Sequence, residues 1–534
     1  MTQDKTAENR SVFKKVGMAS FIMMASVFSS RVIGLAREAA IAFAGGAGAG
    51  VDAYQVSFVI PEILNHIAAS GFLSITFIPI FSAYLARQEE ETGWTVFSII
   101  LNTFSLFLIV LIAVAAYFAP ELTAMLAPGI VDDPATFEKA VRMTRIIMPA
   151  QFFFFTGGLF MAVQFAKEQF FIPALAPLLY NLGIILFGIL LSPAAGMEGF
   201  AWGVLFGAFA GNFLLQYYGA KKSGMNISFV IQLNHPEFLK YLLLTLPLMA
   251  GLTMTFSTEI FLKYFGSFLE QGSIAALNYA LRIMFILVGL FGQAVGVASY
   301  PFMARLAAKN DITALNQLLN QTLKYLLLVI PFSVLFMVLS QEIVLILFKR
   351  GKFDMQATLM TAQILPWLLA GTFAFAGQTV VVRGFYAVQN TWFPALFGTV
   401  AVVSSLPLFF ILTRLMEARG VALALSLSAL FQTFFLFFLW NRKTGNSEAR
   451  QVYLFFLKIA GLSSVLGLIL FKAAEMLRIC IDQTHPAGAF ALCLLVGTIF
   501  LLLVAGSGYV FRINEIITLL KKITRILVRR QPGL

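Results

Sequence analysis

Charge is scarce in this chain: Asp, Glu, Lys and Arg make up 12% of its 534 residues, against roughly 25% in an ordinary soluble domain. A water-facing surface cannot be assembled over a protein of this length from so few ionisable groups, which excludes a soluble enzyme. Cysteine is limited to Cys480 and Cys493, both in late apolar segments, so neither a disulfide framework nor a thiolate metal site is expected. The sequence contains no nucleotide-binding loop, zinc-binding helix motif or nucleophile motif. No cofactor, no metal, no catalytic residue and no ATP-driven step within the chain is therefore expected. No small-residue cleavage site follows the first apolar stretch, and the polar, basic opening Met1–Lys15 reads as an uncleaved cytoplasmic tail.

What is abundant is apolar sequence, at 60% of residues. Runs of about 20 apolar residues recur, each long enough to cross a hydrocarbon core of roughly 30 Å at 1.5 Å rise per residue. The fold class expected is an all-α polytopic membrane protein with about 14 transmembrane helices. Spans are placed near 14–43, 52–86, 95–119, 138–165, 170–192 and 198–220, then 239–265, 272–307, 314–340, 356–387, 391–413 and 419–441, with two more near 452–474 and 487–511. With the N-terminus inside, about 21 Lys and Arg fall on the cytoplasmic side and about 11 outside, which sets the orientation and leaves both termini cytoplasmic. The basic outer loop Lys349-Arg350-Gly351-Lys352 is the main exception, and Val131-Asp132-Asp133 is an acidic outer loop. A net charge of +12 collects at span ends and in the tails, so anionic membrane lipids, not nucleic acid, are the partners it indicates. From Arg512 to Arg530 the apolar Ile516, Leu519, Leu520, Ile523 and Leu527 alternate with basic residues, giving a cationic amphipathic helix suited to a membrane surface.

Local patterns recur at one separation. Pro79 and the residues to Arg87 match Pro301 to Lys309, 222 residues on; Pro173-Ala-Leu matches Pro394-Ala-Leu, Gly199 matches Gly420, and Lys221-Lys222-Ser-Gly224 matches Arg442-Lys443-Thr-Gly445, each 221 residues on. The organisation expected is an N-terminal lobe over 1–225 and a C-terminal lobe over 236–445, six helices each, followed by two additional helices over 450–511 and the basic tail 512–534. An even number of helices per repeat gives both copies the same orientation, related by a pseudo-two-fold along the membrane normal. Two like bundles can rock about a central cavity, which is the physical basis of alternating access.

A charge at mid-bilayer costs roughly 2.5–3.5 kcal/mol, so ionisable residues inside spans face a cavity or one another. Arg31, Arg37 and Glu38 lie on the first helix, Arg282 on the eighth, Lys324 on the ninth and Arg383 on the tenth. Guanidinium groups gathered in a low-dielectric cavity suit a phosphate, which they hold by paired charge-assisted hydrogen bonds. Arg31, Arg37 and Arg282 are the candidate anion-binding set. Asp52 and Glu62 open the second helix, with Asn65 and His66 just beyond, where the acids can pair with cavity arginines or, for Asp52, serve the helix dipole. His66 alone reads as hydrogen-bonded structure. Glu259 and Lys263 are spaced to neutralise each other on the seventh helix. Glu38, Glu62, His66, Glu259 and Arg383 are the candidate gate or coupling residues, and Phe152 to Phe155 read as lipid-facing or packing side chains.

The run Ser30-Arg31-Val-Ile-Gly-Leu-Ala-Arg37-Glu38, with Gly46-Ala-Gly and Asp52-Ala-Tyr54, resembles the first-helix signature of the MurJ/MviN lipid II flippase family of the MOP superfamily. Ile60-Pro61, Gly71 to Pro79, Tyr279-Ala-Leu-Arg282, Gly351-Lys352-Phe353 and Gly384-Phe385-Tyr386 leading to Pro394 extend it. The resemblance implies a two-lobed helical bundle in the bacterial inner membrane. It implies alternating access that moves a lipid-linked peptidoglycan precursor to the outer leaflet, coupled to an ion gradient or the membrane potential, with cell-wall synthesis proteins as further partners. It also implies that Arg31, Arg37 and Arg282 line a cationic cavity with Asp52 in the same region, and that the two last helices form a groove for the lipid tail. The chain departs from the family where Asn65-His66 replaces a common Arg-Arg pair and where Ser70 and Phe285 stand at positions commonly acidic. Those departures leave a second substrate open, another polyprenyl-diphosphate-linked oligosaccharide. A multidrug or cation antiporter of the same superfamily calls for a cavity dominated by carboxylates, and a membrane-embedded transferase calls for an acid, base or metal constellation absent here.

Overall fold

The computed structural model describes residues 2–66, 72–250, 253–482 and 485–518, and among these there are helices and turns but no strand. Helix occupies all fourteen of the stretches selected by hydropathy. Among the described residues nine helices are long and apolar enough to cross a membrane, or ten if a pair bent by 44° counts as one span. Two features of the backbone account for part of the difference from fourteen. One is fusion: the stretch Trp392–Thr444 is counted once although its 53 residues would reach about 80 Å as one helix, and Glu417 breaks it with φ 53° and ψ −129°. The other is the turn at Ser57 and Phe58, which divides the span expected at 52–86 into shorter helices.

In chain order the helices are α1 (Thr2–Gly45), α2 (Ala49–Val56), α3 (Val59–Leu64), α4 (Phe72–Ala86), α5 (Glu90–Tyr117), α6 (Ala119–Leu126), α7 (Pro134–Ile147), α8 (Ala150–Ala166), α9 (Phe171–Ala195), α10 (Glu198–Gly207), α11 (Leu215–Lys222), α12 (Pro236–Ala250) and α13 (Thr253–Gly266). There follow α14 (Ser273–Leu287), α15 (Ala294–Ala308), α16 (Ile312–Leu326), α17 (Val329–Val338), α18 (Ser340–Phe348), α19 (Met355–Leu369), α20 (Thr372–Ala387), α21 (Trp392–Ser404), α22 (Leu406–Thr444), α23 (Ala449–Cys480) and α24 (Pro486–Val510).

The internal repeat is written into the backbone. Positive φ occurs at Gln88 and Asn310, Glu168 and Gln389, Gly196 and Glu417, and Gly224 and Gly445, pairs that stand 221 or 222 residues apart. The helices opening at Pro134 and Met355 are both capped by aspartate: Asp133 accepts from the Ala135 and Thr136 N–H groups and Asp354 from Ala357 N–H, which removes orphan donors at each helix start. Gly196 and Glu417 share one backbone conformation, φ 56° and ψ −135° against φ 53° and ψ −129°. Only glycine adopts it without cost; a side chain there costs about 1–3 kcal/mol. Glu417→Gly is therefore expected to raise the thermal unfolding midpoint in detergent, corresponding to about 1–3 kcal/mol, and an unchanged or lower midpoint would contradict the strain.

By packing, the chain divides into two compact units, residues 1–275 with 350–353, and residues 276–349 with 354–534. Helices α12 and α13 follow the first repeat in sequence yet pack with the first unit. Their place is set by aromatic side chains: Phe238 and Tyr241 of α12 enter a core with Phe77, Phe81, Trp94, Phe97, Phe104, Phe155 and Phe160. Phe81 meets Trp94 at 4.7 Å with the rings tilted, and Phe104 stacks on Phe155 at 5.1 Å, so the Phe152–Phe155 run serves packing at Phe155. In the second unit, Leu339, Leu470, Ala474, Leu492, Val496 and Phe500 form a core that seats α23 and α24. Beneath it the buried Glu342 takes Arg478 in a two-point ion pair, Nε to Oε1 at 2.9 Å and Nη2 to Oε2 at 3.0 Å. The basic tail begins by burying Ile513 and Ile516 against Leu328 and Ile459; Leu519 to Arg530 lie outside the described residues.

Candidate functional site

The intramembrane charges of the first unit are held in three groups. The first is on α1, which packs along α9. Arg37 reaches Glu38 Oε1 through Nη2 at 2.6 Å and donates from Nη1 to Asn181 Oδ1 at 3.1 Å. Asn181 is oriented in turn by its own Nδ2, which donates to the Pro177 carbonyl at 2.8 Å. Glu38 is buried, its side chain 4% exposed, and Arg37 is at 22%. A guanidinium has five donors, so the pairing with Glu38 and Asn181 leaves Arg37 able to bind a further anion. Arg31, on the same helix, is exposed.

The second group is Asp52. Its carboxylate accepts the N–H groups of Gly272 and Ala275, so it caps the start of α14, the helix that carries Arg282. The sequence reading placed Asp52 among the substrate-binding residues, able to pair with cavity arginines. In the structure both carboxylate oxygens go to backbone donors instead, because α14 begins beside α2 and its first N–H groups have no intrahelical acceptor.

The third group joins α3 to α13. Lys263, 1% exposed, lies 3.4 Å from Glu259 and 3.6 Å from Glu62. The expected Glu259–Lys263 pairing is present. His66 Nδ1 is 2.8 Å from the Glu62 carbonyl oxygen, so its ring is tied to the preceding helical turn.

Arg282 and Arg383 belong to the second unit, and both are partly buried. Arg383 Nη1 is buried without a hydrogen-bond partner among the described residues and lies where a side chain on Gly296 would begin, 2.3 Å from that position. Lys324, one of the span charges, lies at the exposed edge and donates to Gln451 Oε1 at 3.0 Å. Helices α16, α20, α22 and α23 border a small apolar cleft of about 40 Å³, lined among others by Leu327, Phe373, Phe434 and Phe456. The described residues hold no group of three or more His, Cys, Asp or Glu placed to bind a metal.

Segments read from sequence as outer loops meet within the first unit. Lys352 N–H donates to the Phe43 carbonyl at 2.9 Å, Gly129 N–H to Ser267 Oγ at 3.0 Å and Gln271 Nε2 to Asp133 Oδ2 at 2.9 Å. Asp133 is held below the ordinary carboxylate range, first by the Thr136 hydroxyl, then by the Thr136 and Ala135 N–H groups and Gln271. A depressed carboxylate stabilises the fold at neutral pH and loses that contribution as pH falls through its folded-state value. Thr136→Val is therefore expected to shallow the acid-side fall of the unfolding midpoint; an unaltered acid limb would contradict the assignment.

Sequence reasoning missed Asn181, the burial of Lys263 between two acids, and the Glu342–Arg478 pair. Each depends on contacts between helices far apart in the chain, and only Lys263 carried a local signal, its spacing from Glu259.

Residues 41–480 match the family model described as lipid II flippase MurJ. The chain is 28% identical over 453 residues to the probable lipid II flippase MurJ of Buchnera aphidicola subsp. Baizongia pistaciae, covering 83% of this chain and 87% of the relative. It is 28% identical over 446 residues to the lipid II flippase MurJ of Burkholderia cenocepacia, covering 82% and 86%. Among solved structures, it shares the fold of a lipid II flippase MurJ in an inward closed conformation, with TM-score 0.73, 24% identity and coverage of 92% of this chain and 99% of that one. It also shares the fold of an inward-facing multidrug resistance MATE family transporter of the MOP superfamily, with TM-score 0.65, 13% identity and coverage of 80% and 95%.

Proposed function

Since the chain belongs to the lipid II flippase MurJ family, we propose that it carries lipid II from the inner to the outer leaflet of the bacterial cytoplasmic membrane. It is a transporter and not an enzyme. In this reading both termini are cytoplasmic, and access alternates between two cavity states. Arg31, Arg37 and Arg282 hold the diphosphate. The observation that carries the reading is Arg37: a guanidinium kept inside the membrane by Glu38 and Asn181, with donors to spare for an anion. Phosphate oxygens fit the fork of a guanidinium and replace the water that both lose. The apolar cleft beside α23 supplies surface for a polyprenyl tail.

The two-state requirement is energetic. A substrate bound equally well in both states is not driven in either direction, so net movement needs a gradient or potential that weights the states differently.

The test depletes a bacterial host of its own flippase, expresses this chain and follows lipid II exposure on the outer leaflet. Restored exposure is expected, with loss in Arg31→Ala and Arg282→Ala at unchanged membrane insertion. Absent exposure with good insertion, together with rescue of another polyprenyl-diphosphate glycan, would move the substrate to that class. Full activity in both arginine variants would refute the diphosphate assignment.

A further inference from the structure

Arg383 carries a positive charge into the membrane part of the second unit, on α20, and the side chains around it supply no anion. Its Nη1 is buried without a hydrogen-bond partner among the described residues, and the titratable group that acts on it is the Tyr300 phenol of α15, not a carboxylate. The guanidinium lies against α15 at Gly296, over the point where a Cβ would stand. A bare α-carbon is what admits it, since a side chain at 296 would occupy the place of Nη1. We propose that Arg383, Tyr300 and Tyr386 form a phosphate site in the second unit, filled by the phosphate group of a membrane lipid and separate from the arginine set that holds the diphosphate in the reading above.

The argument starts from cost. A charge within a span is expensive and persists where it faces a cavity or meets an opposite charge. An arginine withdrawn from water without a counter-ion lacks what would offset its desolvation, and a phosphate supplies it. Tyr300 stands one turn past Gly296 on α15, and Tyr386 one turn past Arg383 on α20, spacings that put each pair on one face of its helix. The two phenols lie within electrostatic reach of each other. They are 36% and 40% exposed, which leaves both open to a ligand seated beside the guanidinium. A guanidinium fork with two hydroxyl donors matches the oxygens of a phosphate through charge-assisted hydrogen bonds.

A lipid, with its hydrocarbon tail, fits the approach to this place. Leu290 and Phe302, on either side of the Gly296–Tyr300 turn, are exposed apolar side chains. Towards the end of α15 come Arg305 and, just beyond it, Lys309, both exposed, and basic residues at a span end attract anionic head groups. The acid next in sequence, Asp311, is engaged in capping α16 through the Ala314 N–H. In the orientation proposed above this end of α15 and α20 is cytoplasmic, so the lipid belongs to the inner leaflet.

The experiment titrates the purified full chain in detergent with phosphatidylglycerol, with a polyprenyl diphosphate and with diacylglycerol as the phosphate-free control, and counts bound lipid by native mass spectrometry. Arg383→Gln is expected to lose one bound lipid and to weaken phosphate-bearing lipid about tenfold, the effect of a lost hydrogen bond to a charged group, with diacylglycerol unaffected. Gly296→Ala makes an independent variant. Its methyl group meets the far end of a flexible side chain, so the helices stay packed while the guanidinium is displaced, and the same loss is expected. Loss for phosphatidylglycerol alone would make a bilayer lipid the occupant, and loss for the polyprenyl diphosphate alone would make it the carrier lipid at a second station; either upholds the site, as does loss for both. Unchanged binding of both phosphate lipids in either variant, or an equal loss of diacylglycerol, would overturn it. If Arg383→Gln does not fold, Gly296→Ala decides alone. The readout is binding, so a chain that moves no lipid II would end the transport reading and leave this result standing, and failure of the site leaves the transport reading intact.

Discussion

Replacing Arg37 with alanine is expected to cut lipid II exposure about 10- to 100-fold, the effect of losing a charge-assisted contact to the substrate. It is also expected to destabilise the first unit by about 3–5 kcal/mol. The second effect arises because Glu38 is 3% exposed and loses the guanidinium 2.6 Å away. An ion pair broken on one side leaves a buried charge with less of its desolvation offset. The two effects separate in the double variant Arg37→Ala, Glu38→Gln, which removes the stranded charge. Its unfolding midpoint should recover while flipping stays low. Recovery of both would make Arg37 a structural residue and overturn its proposed part in holding the diphosphate. Arg37→Lys should resemble the alanine variant in activity, since an ammonium cannot span Glu38 and Asn181 with the geometry of the guanidinium fork.

The second large effect is expected at Arg478→Ala. Glu342 has a side chain 1% exposed, and Arg478 meets it at two points while Nη2 also donates to the Val338 carbonyl at 2.9 Å. Removing the arginine is expected to cost about 3–5 kcal/mol, and replacing both residues with methionine is expected to restore stability to within about 1 kcal/mol or exceed the wild type. The pair fastens α23 to α18. An unfolding midpoint unchanged in Arg478→Ala would contradict that role.

The membrane fold was legible because bilayer crossing imposes length and apolarity on contiguous residues, and those are properties of a stretch of sequence. The repeat was legible at Pro79 and Pro301, and at the basic pairs near Gly224 and Gly445, because turn and cap chemistry is local. What hydropathy cannot register is a break inside an apolar run: Ser57, whose hydroxyl turns back to the Tyr54 carbonyl at 2.6 Å, ends α2 without lowering the surrounding apolarity. The site was half legible. An arginine or glutamate within a span declares itself by its cost, so Arg37, Glu38, Glu62 and Glu259 were visible as charges. Their partners were not, since Asn181 looks like any polar residue on α9 and the distance from Lys263 to Glu62 is decided by packing of segments 201 residues apart. Asp52 shows the same limit from the other side: its charge was evident, its duty toward Gly272 and Ala275 was not.

The outer-loop cluster is tied largely through peptide groups: the Lys352 amide to the Phe43 carbonyl, and the Gly272 and Ala275 amides to Asp52. Gly351 has φ +59° with its Cβ position 2.4 Å from the Phe43 oxygen, and Gly272 has φ +90° with its own 2.2 Å from the Ala47 oxygen. Knots made of main chain are indifferent to the identity of most neighbouring side chains. The side chains around them are free to drift so long as two bare α-carbons and one short acid stay where they are.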